Sequence, residues 1–174
     1  MRRLLRVCAV LTVVLAAPLA ASAQTALSDD DRAGVMSVGA MVGAELDTPE
    51  DWLLFGADAR IQIAHALELS PRFTYHPLDA GRITQLDLNV LRNIDLARPG
   101  RLRPFVGIGG ALRTFSPEFG DSDTKPGLNL ITGTRFAMSS GAGYEPFFTA
   151  QYTIVQDQIN AFSLVVGASF RLRR

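Results

Sequence analysis

The final stretch of the chain, Asn160 to Leu172, is apolar at every second position: Phe162, Leu164, Val166, Ala168, Phe170 and Leu172. The alternate set, Ala161, Ser163, Val165, Gly167, Ser169 and Arg171, is mostly small or polar. A period of two belongs to a β-strand with one greasy face. The face is long and ends in an aromatic beside arginines. If such strands recur around a closed sheet, the outside of the molecule faces oil.

They do recur. The same alternation predicts strands over about 35–46, 53–64, 66–76, 82–91, 102–115, 128–138 and 145–155, separated by turn-forming stretches such as Thr48-Pro49-Glu50-Asp51, Pro77 to Gly81 and Pro99-Gly100. The apolar sets include Leu53, Phe55, Ile61 and Ile63, then Leu86, Leu88 and Val90, then Val106, Ile108 and Leu112. Between them lie Asp58, Arg60, Glu68, Arg72, Asp87, Arg113 and Arg135, spaced by glycines at 39, 43, 56, 107, 109, 133 and 167. A water-soluble protein does not place charges inside and leucines outside. Segments of this length match the roughly 9 to 11 residues that a tilted strand needs to cross a bilayer. The expected fold is therefore all-β, an eight-stranded antiparallel up-and-down transmembrane β-barrel. Its interior is narrow enough for side chains to fill, and the glycines leave room for the arginines. Pro71 lacks a ladder donor, which predicts a bulge there.

The N-terminus reads as an export signal. Arg2, Arg3 and Arg6 precede an apolar run from Val7 to Ala17, and Ala21-Ser22-Ala23 is a cleavage site, so residues 1–23 are expected to be removed. The run is too short for a spanning helix, which needs about 20 residues. Residues 24–33, with Asp29, Asp30 and Asp31, read as a flexible leader, and 34–174 as the barrel domain. Cys8, the single cysteine, falls in the signal, so the mature chain is expected to have neither disulfides nor a thiolate metal site. The whole chain has 17 basic and 17 acidic residues. Removing three arginines leaves 14 against 17 with no basic block, which gives nucleic acid no electrostatic footprint.

The segments R-P-F-V-G-I-G-G-A-L at 103–112, E-P-F-F-T-A-Q-Y at 145–152 and V-G-A-S-F-R-L at 166–172 resemble small outer-membrane β-barrels of the opacity-protein, OmpX and OmpA-barrel type. The resemblance implies residence in the bacterial outer membrane, contact with its lipid, and insertion by the barrel-assembly machinery. That machinery would read a C-terminal signal, here Gly167, Phe170 and Leu172. The chain departs from the pattern by ending in Arg173-Arg174. Some barrels of this kind are lipid A deacylases or acyltransferases. The deacylases use a His and a Ser two residues apart, whereas here His65 and His76 are followed at that spacing by Leu67 and Leu78. Both histidines fall near predicted strand ends and read as interfacial or loop residues.

The functional expectation is thus a non-enzymatic barrel whose inner charges pair into a plug, with Asp58, Glu68 and Asp87 as partners for Arg60, Arg72 and Arg135. A structural or surface-interaction role would follow, through outer loops. The alternatives are a lipid-modifying enzyme or a small-ligand-binding barrel, the last of which would need apolar residues inside. No cofactor is expected, nor a metal, since two separated histidines make no ligand cluster. With the N-terminus in the periplasm, the links after strands one, three, five and seven face outward. The longest is expected at Ser116 to Gly127, where Phe115, Glu118, Phe119, Asp121, Asp123 and Lys125 form a candidate surface for an extracellular or envelope partner. Trp52, Tyr75, Tyr144 and Tyr152 are candidates for an aromatic girdle at the membrane interfaces.

Overall fold

A computed structural model describes residues 36–46, 53–64, 66–94, 101–138, 143–156 and 160–172. The signal, the leader, Trp52, His65, Arg173 and Arg174 lie outside them. Eight strands are present: β1 (Met36–Glu45), β2 (Leu53–Ala64), β3 (Leu67–Leu78), β4 (Gly81–Asn93), β5 (Leu102–Pro117), β6 (Asp123–Phe136), β7 (Tyr144–Val155) and β8 (Ala161–Leu172). Each pairs antiparallel with the next, and β8 pairs with β1 to close a barrel.

The register fixes the barrel's shape. Stepping from Leu172 through Met36, Ile61, Leu69, Val90, Ile108, Leu130 and Tyr152 returns to β8 at Phe162, ten residues short of the start. With about 3.3 Å rise per residue and about 4.8 Å between strands, that stagger tilts the strands by about 40° and sets a backbone radius of roughly 8 Å. A twelve-residue strand at this tilt covers about 30 Å along the axis, the thickness of a hydrocarbon core.

The faces divide as the alternation requires. Leu86, Leu88, Ile108, Leu112 and Phe170 are each more than half exposed, pointing outward from mid-sheet or near a rim. Four guanidinium groups, of Arg60, Arg72, Arg113 and Arg135, and four carboxylates, of Glu45, Asp58, Glu68 and Asp87, are buried within. In water this arrangement would forfeit hydrophobic burial on the outside and desolvate eight charges inside. In lipid the outer face costs nothing and the closed ladder leaves no unpaired edge.

Two expectations need correction. Pro71 causes no bulge: it pairs in register with Leu88, and the irregularity in β2 and β3 lies at Gln62 to Ala64. The β2–β3 ladder has pairs on either side of Ala59 and Arg60 but none at those two positions, so the sheet absorbs the missing donor without an extra residue. The long link at Ser116 to Gly127 is also mostly strand. β5 runs to Pro117 and β6 starts at Asp123, leaving a tip of 118–122. Of the six candidate surface residues there, Phe115 pairs with Asp123, and Lys125 pairs with Arg113. Only Glu118, Phe119 and Asp121 are in the tip. Threonine and serine rows explain the extension, since Thr114 pairs with Thr124 at 2.9 Å and Ser116 with Ser122 at 2.8 Å through their hydroxyls. Gly120, at φ 113°, then takes the left-handed turn that a side chain would resist.

Candidate functional site

The lumen holds the chemistry-bearing side chains, and they bridge it from wall to wall. At the end where β1 meets β2, Arg113 on β5 donates through Nη2 to Glu45 Oε1 at 2.5 Å and through Nη1 to Glu45 Oε2 at 3.0 Å. β5 and β1 are four strands apart in a ring of eight, so this bidentate pair spans the full diameter. Arg113 also donates to Gln85 Oε1 at 3.0 Å. One level down, Arg72 Nη1 on β3 donates 2.9 Å to Gln151 Oε1 on β7, again straight across. Gln151 in turn donates to Asp87 Oδ2 and Asn129 Oδ1, each at 3.2 Å.

Toward the other end, Arg135 on β6 donates to both oxygens of Glu68 on β3, at 2.8 and 2.6 Å. Asn93 donates to the same carboxylate at 2.9 Å. Arg60 donates through Nε to Asp58 at 2.8 Å and through Nη1 to the Ser169 hydroxyl at 3.0 Å. Bidentate guanidinium–carboxylate geometry is the arrangement that best offsets the desolvation of buried charges.

Two aromatic rings complete this end. The Arg60 guanidinium lies 4.3 Å from the centre of the Phe147 ring, and that of Arg135 4.7 Å from Phe105. Each ring lies over a glycine on the neighbouring strand: Phe105 faces Gly133, and Phe147 faces Gly167. A Cβ on either glycine would come within 2.5 Å of the ring's Cζ. Around the rings gather Leu91 and Ile131 in one cluster, and Met41, Leu54 and Val165 in another. The interior is therefore not purely ionic. Arginines are sandwiched between carboxylates and rings, which desolvates them while keeping both charge and face occupied.

Asp58, Arg60, Glu68, Arg72, Asp87, Arg113 and Arg135 all point inward. Arg60 meets Asp58, and Arg135 meets Glu68 across three strands. Arg72 has Asp58 and Asp87 as register neighbours on either side but makes its hydrogen bond to Gln151. Glu45 was not among the candidates, although its position in the inner set of β1 was the available signal. It supplies the partner of Arg113.

His76 is a further correction. It is neither interfacial nor in a loop: β3 continues to Leu78, and the parity that turns Thr74 inward turns His76 inward too. It is buried, with Nε2 3.6 Å from Glu45 Oε2. A cavity of about 10 Å³, room for about one water, lies among His76, Glu45, Gln85, Arg113, Gln151 and Ser163. It is too small for an organic ligand. Among the described residues no group of three or more His, Cys, Asp or Glu could hold a metal ion. Of the girdle candidates, Tyr75 points outward, Tyr152 accepts a 2.9 Å bond from Asn160 near the β7–β8 link, and Tyr144 packs on Phe170 near the opposite rim.

A closed eight-stranded sheet, apolar outside and ionic within, defines a small transmembrane β-barrel. Solved structures of the bacterial outer membrane share the fold. The N-terminal barrel domain of Pseudomonas aeruginosa OprF aligns with a TM-score of 0.61 at 14% identity, over 78% of this chain and 97% of that one. Neisserial surface protein A aligns at 0.61 and 13%, over 79% and 96%. Ail of Yersinia pestis aligns at 0.51 and 15%, over 80% and 97%. No family model matches the chain, and neither does any curated protein sequence.

Proposed function

We propose that this protein is an outer-membrane barrel with a sealed lumen, serving a structural or surface-interaction role and no catalytic one. The observation that carries the reading is the pair of full-diameter bridges, Arg113 to Glu45 and Arg72 to Gln151, stacked over the Arg135–Glu68 pair and the two phenylalanine rings. Ions would have to displace bonded side chains at several levels. Against an enzyme stands the position of His76, locked inside the lumen beside Glu45 and away from the lipid-facing surface. The purified, folded monomer in a planar bilayer is expected to show no steady porin-scale conductance. Large and reproducible channels would overturn the sealed-lumen reading.

The surface role rests on the tip of the β5–β6 ribbon. Phe119 is 86% exposed there, between Glu118 and Asp121, on a hairpin braced by its hydroxyl pairs and by the Glu118 amide, which donates to the Ala80 carbonyl at 3.1 Å. A ring held in solvent by a rigid ribbon suits contact with another molecule. Replacing 118–122 by Asn-Gly is expected to leave heat-modifiable folding intact and to weaken surface phenotypes such as adhesion. Unchanged surface behaviour would remove the support for this role.

A further inference from the structure

Glu45 has two basic neighbours at the end where β1 meets β2. Arg113 holds both of its oxygens from across the barrel, and His76 Nε2 stands 3.6 Å from Oε2, the oxygen that Arg113 Nη1 binds at 3.0 Å. That separation is too long for a hydrogen bond. Among the described residues no hydrogen bond fixes the imidazole, although it is buried and borders the small cavity.

The other groups around it leave no second counter-ion among the described residues. On its own strand Arg72 lies in register between Asp58 and Asp87. On β4 Gln85 bonds to Asp87 Oδ1 at 2.8 Å, and on β7 Gln151 bonds to Oδ2 at 3.2 Å. β6 brings Lys125, in register with Arg113 and already 3.4 Å from Asp123. β2 and β8 line the cavity with Leu54, Ala161, Ser163 and Val165, none of which titrates. The buried described side chains include four guanidiniums and four carboxylates. A proton on His76 adds a ninth charge, and the carboxylate within its reach is the one that Arg113 holds.

We propose that the Arg113–Glu45 bridge is an acid-released latch, with His76 as its proton sensor. Histidine is the side chain whose charge ordinarily changes between about pH 5 and 8. Once protonated, the imidazolium draws Glu45 Oε2 to itself and repels the guanidinium beside it. Arg113 keeps an acceptor, since Gln85 Oε1 is already 3.0 Å from Nη1. It therefore lets go of β1 and stays with β4, its neighbour in the sheet. Arg113 is two residues from Phe115, where β5 enters the ribbon, so acid detaches the base of the ribbon from the far wall. The Arg72–Gln151 level uses neither Glu45 nor Arg113 and keeps the lumen shut.

The test follows two sets of side-chain NMR signals in one sample, the isotope-labelled full barrel folded in detergent micelles. The ring nitrogens of His76 report its proton. The Nη protons of Arg113 give separate signals while the guanidinium is clamped by Glu45 and merge when it rotates freely. From about pH 8 downward, as far as the barrel stays folded, the Arg113 signals of wild type should merge in step with protonation of His76. In H76Q, or in H76N should the first not fold, they should stay separate throughout, and in E45Q they should be merged at every pH. Arg113 signals that stay separate while His76 takes its proton overturn the latch, as does a His76 that remains neutral over the whole range. Merging that persists in H76Q overturns it too, because Glu45 would then be releasing Arg113 through its own protonation. Separate signals in E45Q would mean that another group clamps Arg113, and the latch would fall with them.

Discussion

Glu68 illustrates how much rests on single side chains here. It accepts two hydrogen bonds from Arg135 and one from Asn93, and both members of the ion pair are almost wholly buried. Glu68→Gln removes the charge but keeps the shape, leaving a guanidinium without its counter-ion. The expected loss is about 3 to 5 kcal/mol in denaturant unfolding of the detergent-folded barrel. A loss under about 1 kcal/mol would mean that the pair contributes little beyond its volume. The glycines give a sharper comparison, because the space around them differs by position. A Cβ at Gly133 or Gly167 meets a backbone carbonyl and a phenylalanine ring, while one at Gly110 meets nothing within 4 Å. Gly133→Ala and Gly167→Ala should therefore each cost about 1 to 3 kcal/mol, measured by the same unfolding assay, and Gly110→Ala should be close to neutral. The inward charges were legible in the sequence because parity along a strand is a local property. The partner of Arg113 was not, nor that Arg72 bonds to Gln151. Arg113 finds Glu45 through the stagger of the whole ring, and no spacing along the chain encodes that meeting.

At the scale of strands, alternation located all eight, and their outer faces are apolar as read. Leu88 and Ile108 are 56% and 54% exposed near mid-strand. Leu88→Arg or Ile108→Arg should each cost about 2 to 4 kcal/mol in vesicles, the price of a cation near the bilayer midplane. Unfolding titrations that show either change to be neutral would reverse the faces. The ends of strands were less legible. Ser116, Pro117 and Thr124 read as turn chemistry, yet hydroxyl pairs and the neighbouring β4, whose Gly81 pairs with Pro117, carry the ladder outward. Tertiary pairing overrode local preference, as it does for β-structure generally. His76 closed the expected strand over 66–76 and read as interfacial or loop because it fell at the end; the parity it shares with Thr74 was already the signal that it lies inside.

For the whole molecule, the lumen is filled by successive polar bridges, with two rings packed against the arginines at one end and four positive and four negative side chains buried together. Charge balance of this kind needs the complete ring, since partners come from β1 and β5, β3 and β6, or β3 and β7. The link between β5 and β6, expected to be the longest, is not. The ribbon tip spans 118–122, whereas the link between β4 and β5 spans 94–101 at the opposite end. Closure has a temporal consequence. Met36 pairs with Leu172 and Glu45 with Ser163, so the seam joins segments separated by nearly the whole described chain. Such contacts are the slowest to form, because the loop entropy is lost before the pairing can reward it. Until β8 reaches β1, two strand edges and the cross-lumen pairs Arg113–Glu45 and Arg135–Glu68 are without partners in an environment that offers no water. An unfinished barrel is therefore not a smaller version of the finished one but a species with little reason to stay in lipid. Zippering of the seam is the step at which the chain commits to the membrane.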